Sequence, residues 1–341
     1  SPVRWTAILV QEAAVWLFDA GKFSATWVNW SDSYPGWVDA DVVADAKFSP
    51  NYDIDNTIVV LTIGNQDGDL NYVGFYVQMA TTGSVKKWNG EADFGGYPVL
   101  VKHGGNIIVA PFSPTLIGSG WGIGELIRRT GHLAMPSDFV SYNTADRRVM
   151  LAVNGLVFNP ATWLTNPTPG FELSQGGYMF WLMNTTFAPE ELLQHEGNPY
   201  IASIAYHGNV NMMGKTMVGL MFPRDWDYFD IINWYRGDTV VSSSFEVTRE
   251  VQKLPSCAGV QVLRSETLDV CCPVWQAACK PPSGQLMATV AYPPDGSMGY
   301  AVTQGESRFY AAGDDDLANT YHEFGSWSDE SAFSVSGHVG V

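Results

Sequence analysis

Basic residues are scarce in this chain: 18 Lys and Arg stand against 35 Asp and Glu, a formal net charge of −17. A surface of that sign repels phosphate at long range, which excludes a tight, sequence-independent nucleic-acid binder. The longest basic runs are the pairs Lys86-Lys87, Arg128-Arg129 and Arg147-Arg148, and the start, Ser1 to Trp5, carries no basic arm. Cysteine is also rare. The four lie late, at Cys257, Cys271, Cys272 and Cys279. A disulfide scaffold spreads more of them along the chain, and the C-x2-C spacing of zinc sites is missing, so structural thiols, free or partly paired, are expected. Charge of either sign is only 16%, against about 25% in ordinary globular chains. No apolar run reaches the roughly 18 residues of a membrane span. The stretch Ile8 to Phe18 is broken by Gln11 and Glu12 and lacks a small-residue cleavage site, so it does not read as a signal peptide. The absence of Met at position 1 suggests a removed initiator or a cut from a longer precursor.

What is plentiful points one way. The 341 residues are 46% hydrophobic and 13% aromatic, with 34 Gly and 19 Pro. That is core material for two domains of ordinary size, and turn-formers for short strands. Runs rich in Val, Ile, Tyr, Phe and Thr recur: 23–30, 57–63, 72–79, 98–111, 148–158, 178–183 and 200–206. They continue at 215–222, 239–247, 259–263, 286–292 and 333–339. Turn signals lie at Asn65-Gln-Asp-Gly68 and Pro293-Pro-Asp-Gly296. Three short helices are expected, over 124–134, 189–195 and 225–234. No repeat of 20–50 residues stands out, which disfavours solenoids and propellers. The pattern predicts an all-β fold of antiparallel β-sandwich or jelly-roll type, in two domains. A boundary in the loop-like stretch 165–197 gives an N-terminal β domain over 1–195, jelly roll or projection, and a C-terminal jelly roll over 196–341.

Catalytic constellations are thin. There is no G-x-S-x-G elbow, no H-E-x-x-H and no phosphate loop. The glycine run Gly118 to Gly124 lacks the Lys-Ser/Thr of a phosphate loop and reads as a turn. The six His are scattered singly, Glu190-Glu191 suits a helix start, and Asp314-Asp-Asp316 reads as a solvated turn rather than a Ca²⁺ site. No cofactor, metal or catalytic residue is therefore assigned, although paired carboxylates for glycoside hydrolysis are invisible in a sequence. The 13 Trp need a reason, above all the cluster Trp27, Trp30, Tyr34 and Trp37. Core and subunit contacts are one use for them and a sugar-stacking platform is another. Asn29-Trp-Ser31 and Asn184-Thr-Thr186 fit the N-glycosylation pattern, which is short enough to arise by chance. Arg236-Gly237-Asp238, an integrin tripeptide, runs straight into a strand-like segment and reads as a covered strand start.

The segment Trp234-Tyr235-Arg236-Gly237-Asp238, followed by Phe245-Glu-Val-Thr248, resembles a signature of picorna-like virus coat proteins. Met213 to Pro223, Gly284 to Gly296 and Ser331 to Gly340 resemble further strands of the same jelly roll. The likeness covers 210–341 and is nearest in style to the large coat protein of comovirus-like members. Cys271 to Pro282 has no counterpart in it, and the first half matches no family. The resemblance implies a non-enzymatic capsid subunit located in the virion. Such a subunit assembles with other capsid protein subunits into an icosahedral shell, encloses viral RNA without strong basic-arm binding, and allows a host receptor as a further partner. Trp234, Tyr235, Arg236, Gly237, Asp238 and Phe245 become candidate structural and assembly residues. The competing expectation, from Trp density and acidity, is an extracellular carbohydrate-binding or carbohydrate-active β-sandwich. A receptor-binding projection domain is a third.

Overall fold

The computed structural model describes residues 6–11, 13–19, 24–64, 74–90, 94–109, 131–158, 175–187, 193–196, 200–209 and 212–221. Beyond these it describes 262–265, 276–278, 288–293, 298–303, 309–313 and 328–329. The fold is all-β: antiparallel sheets with very few helical residues, as the alternation predicts. The chain divides into two compact units, Ser1–Leu173 with Trp181–Glu190, and Ser174–Phe180 with Glu191–Val341.

The first unit opens with β1 (Thr6–Gln11), β2 (Ala14–Asp19) and β3 (Trp27–Asn29), a three-stranded meander, and the one-turn helix α1 (Trp30–Ser33). There follow β4 (Val42–Phe48), α2 (Tyr52–Asp55), β5 (Thr57–Gly64), β6 (Gly74–Thr81), β7 (Lys87–Trp88), β8 (Val99–Leu100), β9 (Lys102–His103), β10 (Asn106–Val109), β11 (Gly131–Ala134) and β12 (Arg148–Phe158). Strands β12, β10, β6, β5 and β4 lie side by side in that order, with β7 and β8 pairing β6, β9 pairing β10 and β11 pairing β12. Every residue of β5 is buried, as is every residue of β6 but its last, because both faces are covered. On one face Ile58, Val60 and Ala80 meet Val15 and Leu17 of β2 together with Trp30, Val43 and Trp88. Leu61 points the other way by alternation, and Gly131 of β11 comes so close to it that an added Cβ would lie 2.5 Å from Leu61 Cδ2. The first unit thus layers the β1–β3 meander over one side of the main sheet.

In β13 (Gln175–Met183), Leu182 and Met183 pair with β14 (Thr186–Phe187). Earlier β13 residues, Gly176 to Met179, pair with β15 (Leu193–Glu196) in the second unit. That unit continues with β16 (Tyr200–Asn209), β17 (Met212–Met221), β18 (Val262–Ser265) and β19 (Gln276–Ala278), one four-stranded sheet in chain order. A second such sheet comprises β20 (Ala288–Ala291), β21 (Met298–Thr303), β22 (Phe309–Gly313) and β23 (Ser328–Asp329). Both are meanders, and among the described strands no Greek-key return links either. The sheets meet where β20 lies against β16 and β17, with the Val290 N–H donating to Ser203 Oγ at 3.0 Å.

Some expectations need correction. The helix expected over 124–134 is not helical at its end: Gly131–Ala134 is β11, hydrogen-bonded to β12 in a register that sets Leu133 opposite Leu151. The end of the helix expected over 189–195 is likewise a strand, since Leu193–Glu196 pairs with β13. In both, partner strands satisfy the backbone better than an isolated turn of helix. The run 98–111 holds three short strands, and Gly104 and Gly105, at positive φ, turn the chain between β9 and β10. In the described part of the run 23–30, the strand covers Trp27–Asn29 and ends there because Asn29 caps α1. The helix expected over 225–234, the strands expected over 239–247 and 333–339, and all four cysteines lie outside the described residues.

Candidate functional site

The aromatic residues flagged near the start of the chain divide into two groups. Trp30 is 6% exposed and belongs to the core, where its carbonyl accepts the Trp88 indole N–H at 3.0 Å. Its ring packs on Tyr34 at 4.0 Å, and the Lys86 ammonium lies 5.6 Å from the Trp30 ring centre and 5.4 Å from that of Tyr34. This pair therefore already holds a cation of the protein's own. Trp27, 44% exposed, packs on Phe18 at 5.2 Å.

Trp37 and Trp16 are different, for both line a cleft of about 420 Å³. In β2, Val15 and Leu17 turn into the core, so Trp16 must face the opposite side with Ala14. Asp32 of α1 and Asp39 complete the polar part of the wall, and the small side chains of Ala13, Ala14 and Ala40 keep the cleft open. Among the described residues no basic side chain lines it.

The wall is held in place from behind. Gln78, fully buried in β6, treats Val38 as a strand treats its neighbour: its Oε1 accepts the Val38 N–H at 3.1 Å and its Nε2 donates to the Val38 carbonyl at 2.9 Å. Asn89 extends the ladder, donating through Nδ2 to Gln78 Oε1 at 2.9 Å and to the Gly36 carbonyl at 3.0 Å, while its Oδ1 accepts the Met79 N–H. Gly36 has φ +89°, and a Cβ there would lie 2.1 Å from the Trp88 carbonyl oxygen, so only glycine fits. Trp37 also meets Trp88 edge to face at 4.5 Å. Asp32 is positioned by Asn29, whose Nδ2 donates to Asp32 Oδ2 at 2.7 Å and whose Oδ1 accepts the Asp32 N–H. Residues 36–38 and Asp32 thus stand on a braced frame, and Trp16 and Asp39 complete an opening that joins two indoles to two carboxylates.

In the first unit a half-buried carboxylate, Asp55, and a buried guanidinium, Arg147, tie loops together. Asp55 Oδ2 accepts from Ser49 Oγ at 2.8 Å and from the Ser141 N–H at 3.1 Å, and Oδ1 accepts the Thr57 N–H. Burial pushes its carboxyl above the usual aspartate range, and these hydrogen bonds pull it back in part. Arg147, 3% exposed, donates to the Ser141 carbonyl through Nε at 2.6 Å and through Nη2, and to Asn184 Oδ1 at 3.0 Å. Its guanidinium lies over the rings of Phe94 and Tyr97 at 5.4 and 5.9 Å. The Tyr97 hydroxyl donates to the Asn184 carbonyl, and burial raises its pKa, opposed by Arg147.

Both glycosylation matches have local duties. Asn29 caps α1, and Ser31 is buried with its Oγ accepting the Val15 N–H. Asn184, at φ +54°, serves Arg147 and Tyr97. Among the described residues no group of three His, Cys, Asp or Glu is placed to hold a metal, and no helix is long and apolar enough to cross a membrane. Trp234, Tyr235, Arg236, Gly237, Asp238 and Phe245 lie outside the described residues, as do the 118–124 glycine run and Asp314 to Asp316. Sequence reasoning singled out Trp37 but missed Trp16, Asp32 and Asp39. The alternation Val15-Trp16-Leu17 was the available signal for the first.

The class these features define is an all-β protein with a braced aromatic and acidic cleft. No protein-family model and no curated protein matches the chain. Among solved structures it is similar to Kuenenia stuttgartiensis hydrazine synthase, at 12% identity over 89% of this chain and 62% of that one, TM-score 0.41. A functionally unknown protein from Desulfotomaculum acetoxidans DSM 771 shows 11% identity over 95% and 65%, TM-score 0.40. A glucose dehydrogenase shows 10% identity over 89% and 90%, TM-score 0.32. The chain spans less than two thirds of the first two, and likenesses this distant transfer no function.

Proposed function

We propose that the chain is a carbohydrate-binding β protein that recognises its ligand without turning it over, through the cleft of Trp16, Trp37, Asp32 and Asp39. The observation that carries this reading is the pairing of two indoles with two carboxylates around one opening of about 420 Å³, within the ~300–1,000 Å³ range of small-molecule sites. Indole faces stack on the apolar face of a sugar ring, and carboxylates accept its hydroxyl protons. Glycoside hydrolysis asks for one carboxylic acid shielded from water, whereas Asp32 and Asp39 are both exposed, which favours binding over catalysis.

The test is tryptophan-fluorescence titration of the whole chain with chitohexaose, cellohexaose and xylohexaose. Saturable binding of at least one, weakened about tenfold in Trp37→Ala and in Trp16→Ala, is expected, the loss of one stacking contact of ~1.4 kcal/mol. The shell-subunit expectation predicts the opposite: particles of megadalton mass by light scattering, and no saccharide retained. That pair of results would overturn the binding reading.

A further inference from the structure

We infer that the preferred saccharide of this cleft is cationic, an amino sugar with a free ammonium such as a glucosamine unit, rather than a neutral or acidic one. This rests on the carbohydrate-binding reading and narrows it. Three observations carry it. Asp32 and Asp39 share the opening, and among the described residues no Lys, Arg or His lines it. The whole chain adds a field of the same sign, −17, which raises the local concentration of cations and repels uronic or sulfated sugars. Trp16 and Trp37 line the same cleft, and an indole face attracts an ammonium as well as stacking on a ring. The same chemistry already operates nearby, where the Lys86 ammonium lies over Trp30 and Tyr34. That pair is occupied from within the chain, whereas the Trp16 and Trp37 cleft is open to solvent.

A neutral sugar would leave both carboxylates bonding only hydroxyls, whereas an ammonium donates charge-assisted hydrogen bonds that are shorter and stronger. Each such pair is exposed, so its share is modest, roughly a two- to fivefold gain in affinity, and it weakens with salt.

The experiment titrates the whole chain with glucosamine hexamer and with its N-acetylated counterpart, in mildly acidic buffer that keeps the amine protonated, at low and at high salt. Asp39→Asn is the key variant, because Asp32 also positions α1; unchanged melting of D39N verifies its fold. Tighter binding of the glucosamine hexamer, a gap that closes at high salt, and a loss in D39N that is two- to fivefold larger for that hexamer than for its N-acetylated counterpart are the expected results. Equal binding of the two oligomers, indifferent to salt and to D39N, overturns the cationic preference and leaves the carbohydrate-binding reading standing. Binding of neither overturns the cationic preference, and if cellohexaose and xylohexaose also fail to bind, the carbohydrate-binding reading falls with it.

Discussion

Asp55 and Arg147 hold the backbone of Ser141 from opposite ends, the carboxylate on its N–H and the guanidinium on its carbonyl. Loops 86 residues apart are joined this way, so the cost of deleting either charge is the cost of stranding buried polar groups. Arg147→Met would leave the Ser141 carbonyl and Asn184 Oδ1 without this donor and remove the cation over Phe94 and Tyr97. A loss of ~3 kcal/mol in urea unfolding is expected. Asp55 has a sign of its own. Its folded-state pKa is raised above 3.8, so the folded state binds the proton more tightly than the unfolded chain does. Its contribution is most favourable below the unfolded value and diminishes as pH rises through the folded one. The stability of the wild type relative to Asp55→Asn should therefore fall as pH rises from about 3.8 toward neutral, measured by urea midpoints across that window. A difference that grows with pH would contradict the burial assigned to Asp55. None of this was legible in the sequence, where Asp55 is one of several acidic residues in a polar loop and Arg147 one half of a basic pair. Their environment comes from chain segments that meet only in the fold.

Among the elements, β6 braces the wall of the cleft from behind. Gln78 and Asn89 substitute side-chain amides for a missing strand and so fix residues 36–38 against β6 and β7. Gln78→Met keeps the volume but leaves the Val38 N–H and carbonyl without these partners. It should loosen the wall, raising the Kd for the oligosaccharide severalfold and lowering stability by ~2 kcal/mol, read from the same fluorescence titration and a melt. Gly36→Ala should be more damaging, because the added carbon meets a backbone oxygen rather than a movable side chain. Strands were the elements the sequence displayed best: the run expected over 148–158 is β12, Arg148–Phe158, and that expected over 57–63 is β5 with one residue added. Period-2 alternation and β-branched content are local properties, so they can be read one segment at a time. Gly131–Ala134 and Leu193–Glu196 were misread as helix ends because a strand that short is defined by its partner, not by its own residues.

For the molecule as a whole, charge is the dominant variable. With a pI near 4.5 the chain should be least soluble close to that pH and most soluble above neutrality, where its mutual repulsion is large; turbidity against pH measures this. Light scattering separates the two broad roles open to the chain. A monodisperse species near 37.4 kDa accords with a binding protein that uses its own cleft, and megadalton particles accord with a shell subunit.

Composition and alternation by themselves determined that this chain is all-β, acidic and rich in turns, because those properties depend on which residues are present and on spacing within a few positions. The order of strands in the sheets, and the sorting of Trp30 and Trp88 into the core while Trp16 and Trp37 line a cleft beside Asp32 and Asp39, were decided only in three dimensions. The physical reason is that a side chain's role depends on what covers it. In this protein the cover is supplied by strands and loops tens of residues away in the chain.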